Sequence, residues 1–160
     1  MGSDALRVLV VDDSPIIGRR IRMLLDQIGY RVVMTAENGR EAIAAYQKCW
    51  PDVVTMDISM PVMDGLEATR NIIQMHPQAN IVMVTSHRQK KMVLAALASG
   101  AKGYVLKPFQ PKKVSEVIDQ ACSRVVLKDK LDVEFVKREQ KSLLPVTASD
   151  GAQLTGVSEA

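Results

Sequence analysis

The 160-residue chain is poor in the features that mark several functional classes. It has two cysteines, Cys49 and Cys122, without the paired spacing of a zinc site or a thiol redox motif, so they read as reduced thiols in a cytoplasmic protein. The first apolar run, residues 8–11, is broken at once by Asp12-Asp13, which argues against a signal peptide. No stretch approaches the roughly 18 apolar residues of a membrane span, so membrane insertion is not expected. Net charge is only +3, too small to argue for nucleic acid. Residues 1–122 hold 15 Lys and Arg against 12 Asp and Glu, and 123–160 hold 6 of each, so the excess sits in the first part. The turn after the first apolar run also lacks the glycine- or hydroxyl-rich loop that a flavin or nucleotide phosphate requires.

What is present fits one domain: 47% hydrophobic residues over this length supply a sizeable core. Residues 6–11 form an apolar, β-branched run, and Ser14 followed by Pro15 starts a helix whose apolar face is Ile17, Ile21, Leu24, Leu25 and Ile28, with Gly29 closing it. A second strand, 31–36, leads to Asn38 and Glu41 at capping-box spacing and a helix to about Lys48. A third strand ends at Asp57, and Asp64 with Glu67 repeats the capping spacing before a helix with Leu66, Ile72, Ile73 and Met75 on its apolar side. Strands at 81–85 and 102–106 precede helices at 89–99 and 111–122, the last with Val114, Val117, Ile118 and Ala121 inward. Five apolar strands alternating with five helices imply an α/β, doubly wound five-stranded parallel sheet covered on both faces. Past Cys122 the stripe Leu127, Leu131 and Phe135 suggests a helical extension over 123–143, and the small, polar 144–160 reads as a disordered tail. The expected division is therefore a tail at 1–5, a domain at 6–122, the extension and the tail.

In such a sheet, function sits beyond the carboxyl ends of the strands. Asp57 alone would read as an ordinary strand-end aspartate. Beside it, however, the first strand delivers Asp12 and Asp13, the fourth Thr85, and the fifth Lys107. Three carboxylates this close repel unless a cation joins them, and a hard divalent ion such as Mg2+ is the natural partner. With that ion and Lys107 the charge balances to zero, leaving a place where a phosphoryl group can be met in line by an Asp57 oxygen. An acyl phosphate on Asp57 leaves the site at about −1, which favours drawing in the neutral Thr85 hydroxyl.

Val8 to Ser14, Asp52 to Gly65, Val84-Thr85-Ser86 and Lys102 to Phe109 together resemble the response-regulator receiver domain over about residues 6–122. Within that family the chain is most similar to single-domain chemotaxis regulators. The resemblance implies a flavodoxin-like fold. It implies Asp57 as phosphoacceptor, and Asp12, Asp13, Asp57 and the Ser59 backbone carbonyl around Mg2+. It further implies Lys107 on the phosphoryl group before a cis Lys107-Pro108 bond, with Thr85 and Tyr104 as a switch pair. A histidine kinase is the implied donor. A downstream effector protein is expected on the face carrying Arg88, Lys90, Lys91, Lys112 and Lys113, with no enzymatic turnover beyond the domain's own phosphoryl chemistry.

Blander readings compete at single positions. Asp12-Asp13 in isolation fits a solvated helix start, Tyr104 a half-buried strand aromatic and His76 a helix end, while His87, two after Thr85, reads either as a side chain at the rim of the site that influences attacking water or, as the favoured reading, as a solvated loop histidine. At the level of function, a Mg-dependent hydrolase with an aspartyl nucleophile usually places two aspartates two apart after the first strand, unlike Asp12-Asp13. A fragment of a larger regulator with enzymatic or DNA-binding output is the other alternative, and direct DNA binding by the short, charge-balanced segment after Cys122 is disfavoured.

Overall fold

The computed structural model describes residues 4–123. The expected helical extension, its Leu127, Leu131 and Phe135 stripe, and the tail lie outside the described residues from 124 onward. Five strands alternate with five helices: β1 Arg7–Val11, α1 Pro15–Gln27, β2 Arg31–Ala36, α2 Gly39–Cys49, β3 Val53–Met56, α3 Gly65–Met75, β4 Ile81–Thr85, α4 Lys90–Ser99, β5 Gly103–Leu106 and α5 Pro111–Cys122. All strand pairs are parallel, in the order β2-β1-β3-β4-β5.

Alternation along each strand builds two cores. Leu9, Val11, Val54, Met56, Ile81 and Met83 face α2, α3 and α4, where they meet Ala42, Tyr46, Ala68, Ile72 and Ala96. Val8, Val10, Val53, Val82, Val84 and Val105 face α1 and α5 and pack on Ile21, Leu24, Leu25, Val117 and Ile118. Because both faces of the inner strands are buried, their sequences read as near-continuous apolar runs, with Thr55 and Thr85 buried among them.

Local signals act where the sequence places them. Ser14 caps α1 by accepting the Ile17 amide, and Gly29 beyond its end takes φ +91°. Asn38 and Asp64 accept the amides of Glu41 and Glu67 at the starts of α2 and α3. The Glu41 carboxylate returns to the Glu37 amide, one residue before the cap position of an ideal box. One inward assignment fails: Met75, on the last turn of α3, is 44% exposed, while Ile72 is fully buried. The α2 end also departs from the glycine rule, since Trp50 takes the left-handed cap conformation at φ 46°.

Candidate functional site

The strand order reverses its winding between β1 and β3, so the crevice between their carboxyl ends is the place where an open sheet of this kind exposes a ligand site. Asp12 and Asp13 directly follow β1, Asp57 follows β3, Thr85 ends β4, and Lys107 follows β5. Backbone bonds hold these ends in place: the Asp57 amide donates to Val11, the Asp12 amide to Ala36 and the Lys107 amide to Thr85. Asp57 is further fixed from below by the turn that brings Gly65 back. The Gly65 amide donates to Ile58. A Cβ on Gly65 would lie 1.9 Å from the Asp57 carbonyl oxygen, so only glycine fits there.

Carboxylate oxygens of Asp12, Asp13 and Asp57 all lie within 4.8 Å of one another. Asp12 and Asp57 are 5% and 8% exposed, and Asp13 is open to solvent. Lys107 reaches across the sheet ends, its Nζ 2.7 Å from Asp12 Oδ2 and 3.4 Å from Asp57 Oδ2. The second oxygens are used locally: Asp12 Oδ1 accepts the Ser14 amide at 2.9 Å and Asp57 Oδ1 the Ile58 amide at 2.8 Å. Burial raises the Asp57 carboxyl above the usual carboxylate range; the Lys107 ammonium opposes this and the neighbouring Asp12 charge adds to it. The Lys107-Pro108 peptide is cis, as the resemblance implies.

Three hard oxygen donors gathered this tightly against one lysine are a donor set suited to Mg2+ rather than to a soft metal. Burial is the main cause of the raised Asp57 carboxyl, and a divalent cation would offset both that burial and the added repulsion from Asp12. The residues therefore fit the ion.

Residues 8–119 match the sequence profile described as the response regulator receiver domain. The chain belongs to the response-regulator receiver family. Among curated relatives, the chemotaxis protein CheY of Thermotoga maritima is 40% identical over 114 residues, 71% of this chain and 95% of that one. CheY of Bacillus subtilis is 43% identical over 119 residues, covering 74% and 99%. Among solved structures, a CheX–CheY complex with BeF3 and Mg2+ from Borrelia burgdorferi aligns with a TM-score of 0.71 and 30% identity, over 74% of this chain and 90% of that one. A LuxR-family two-component response regulator from Aurantimonas aligns at 0.71 and 33%, over 86% and 99%.

Around this receiver's acidic cluster, the remaining expected residues form a second, hydroxyl-rich group. Thr85 is fully buried and its Oγ1 accepts the His87 amide at 3.3 Å. Tyr104 is half-buried, and its hydroxyl donates to the His87 carbonyl at 2.7 Å. Burial raises the Tyr104 phenol, with the Asp57 charge adding to the effect. Ser59 is exposed, and its hydroxyl pairs with His87 Nε2 at 2.6 Å. Of the two readings of His87, the favoured solvated one is therefore corrected in favour of the rim: backbone and ring together contact Ser59, Thr85 and Tyr104. No sequence period signals such a contact, because Ser59 and His87 meet only when the loops after β3 and β4 lie side by side. Arg88, Lys90, Lys91, Lys112 and Lys113 are all exposed, around the starts of α4 and α5. His76 does end α3, and it also stacks on Tyr46 at 5.0 Å between ring centres. No helix among the described residues is long and apolar enough to cross a membrane.

Proposed function

We propose that this receiver accepts a phosphoryl group on Asp57 from a histidine kinase and passes the signal on by protein binding, in a pathway of the chemotaxis type. The observation that carries the reading is the cluster itself: a buried carboxylate, two further carboxylates within 4.8 Å, and a lysine 3.4 Å away. Asp57 Oδ1 is engaged by the Ile58 amide while Oδ2 faces Lys107, which supports reading Oδ2 as the oxygen that attacks phosphorus. Asp12, Asp13, the Asp57 side chain and the Ser59 backbone carbonyl are the groups that would hold Mg2+. When bound, that ion supplies positive charge for the phosphoryl oxygens. Lys107 supplies a second cation from the β5 end, already within reach of both buried aspartates. Transfer of this kind asks the protein for position and charge stabilisation, and little else.

Thr85 and Tyr104 act as the switch. A phosphoryl group on Asp57 adds negative charge beside the Thr85 hydroxyl, and drawing that hydroxyl inward competes with its bond to the His87 amide. Tyr104 follows because its hydroxyl is attached to the same residue. The two-state element is thus the loop from Thr85 to His87, next to the basic face. Arg88, Lys90, Lys91, Lys112 and Lys113 would meet an acidic effector there.

Calorimetric titration tests the metal part: wild type binds Mg2+ and Asp13→Ala loses that heat, whereas an unchanged isotherm in the variant removes Asp13 from the site. Capture of effector protein with and without beryllofluoride, an acyl-phosphate mimic, tests the output. Binding should increase with the mimic, and capture indifferent to it would reject the switch.

A further inference from the structure

On the far side of Asp12 from the acidic cluster, a cleft of about 210 Å3 opens between α1 and the carboxyl end of the edge strand β2. Asp12 borders both places, but its two oxygens are engaged elsewhere, by the Ser14 amide and by Lys107 Nζ. The floor of the cleft is apolar: Val10 and Ala36 are buried there, and the parallel register sets Thr35 beside Val10. The α1 wall is recessed at Gly18, where a Cβ would meet nothing within 4 Å. Neither crowding nor backbone conformation demands a glycine at this helical position, and glycine within a helix costs stability relative to alanine. What the missing side chain gives in return is space in the cleft.

The rim carries charge. Arg19 and Arg22 stand on α1 and Glu37 follows β2, all three exposed. The two arginines are three residues apart and so share one side of the helix. Among the described residues the ion pairs are those of Lys107, so neither guanidinium is paired with Glu37 or with another carboxylate. Ser14 Oγ accepts the Ile17 amide, which leaves its proton to donate, and Thr35 adds a second hydroxyl. Two guanidinium groups and one carboxylate leave the rim one positive charge in excess, and the complementary ligand has two negative groups and one positive.

We infer that the cleft between α1 and β2 binds an acidic α-amino acid. Its carboxylates meet Arg19 and Arg22, whose forked donors suit a planar carboxylate, and the Ser14 and Thr35 hydroxyls donate to the same oxygens. Its ammonium meets Glu37, and its methylene groups lie over Val10 and Ala36 in the space that Gly18 leaves. The volume is below the roughly 300–1,000 Å3 of pockets for drug-sized ligands, which restricts the occupant to a small metabolite. The site stands apart from the phosphoacceptor reading and does not depend on it.

The test is a nuclear magnetic resonance titration of the full, isotope-labelled chain without Mg2+ or phosphodonor. L-Glutamate is added to about 10 mM, enough to detect a Kd of about 1 mM. Acetate, methylamine and inorganic phosphate at the same ionic strength are the controls. Saturable shifts of the Gly18, Arg22, Thr35 and Glu37 amides are expected with glutamate and not with the controls. Arg22→Gln and Glu37→Gln should each weaken binding about ten-fold, and Gly18→Leu, which fills the recess, should remove it. The spectrum of each variant reports its folding, and if Gly18→Leu does not fold the two glutamine variants carry the test. No saturable shift with glutamate in wild type would overturn the inference. So would equal shifts with acetate or phosphate, the mark of a basic patch without selectivity, or binding unmoved by Glu37→Gln. None of these outcomes bears on Asp57, since no phosphoryl group is present.

Discussion

Two glycines show how closely the site is built. Gly18 lies in α1 with open space around the position of a Cβ, whereas the same atom on Gly65 would strike the Asp57 carbonyl oxygen at 1.9 Å. Gly18→Ala should therefore stabilise the domain by about 0.5–1 kcal/mol through helix propensity. Gly65→Ala should cost about 3 kcal/mol or more, because the clash is with backbone and no side chain can yield. Urea unfolding of the two variants against wild type measures both signs. At this scale the carboxylates and Lys107 were legible in the sequence, because each terminates an apolar strand and the fold must bring strand ends together. His87 was legible only as one of two readings, from its place two residues after Thr85, and its pairing with Ser59 was not, since a lone loop histidine carries no period and Ser59 lies in a different loop.

Between elements, Tyr30 ties the start of β2 to α5. Its hydroxyl donates to Asp119 Oδ1 at 2.6 Å and lies 3.4 Å from Ser115 Oγ. Burial raises the Tyr30 phenol above its ordinary value, and the Asp119 hydrogen bond adds to this. A raised value means the native state favours the neutral phenol. The stabilisation is complete below the unfolded-state value near pH ~10 and is lost as pH rises through the native value. Tyr30→Phe should cost about 1 kcal/mol at neutral pH and flatten the alkaline decline, which unfolding at a series of pH values would reveal. An equal alkaline decline in both proteins would count against the Tyr30 contribution. Helix starts were readable here because Ser14, Asn38 and Asp64 act within their own turn. The exposure of Met75 was not, because it depends on how α2 and α3 lie together: Gln47 of α2 donates from Nε2 to Met75 Sδ at 3.5 Å.

Across the domain, the alternation of strands and helices was enough to anticipate a parallel sheet with two covered faces, and the observed order β2-β1-β3-β4-β5 puts the winding reversal beside Asp12 and Asp57. That arrangement separates labour. The two apolar cores hold the strand ends still, and the residues at and just beyond those ends carry the charges and hydroxyls of the candidate site. The meeting of His76, at the end of α3, with Tyr46 and Trp50 at the end of α2 was beyond sequence reasoning, since it depends on the packing of two helices, whereas Tyr46 and Trp50 are neighbours one helical turn apart. The central claim concerns the single carboxylate that all of this positions. Its most direct test is peptide mass mapping after incubation with acetyl phosphate, in Mg2+ or in EDTA. The account predicts one phosphoryl group on the peptide containing Asp57 in Mg2+, little in EDTA, and none in Asp57→Asn. A phosphoryl group retained by Asp57→Asn at the wild-type level, or mapped to another residue, would contradict it.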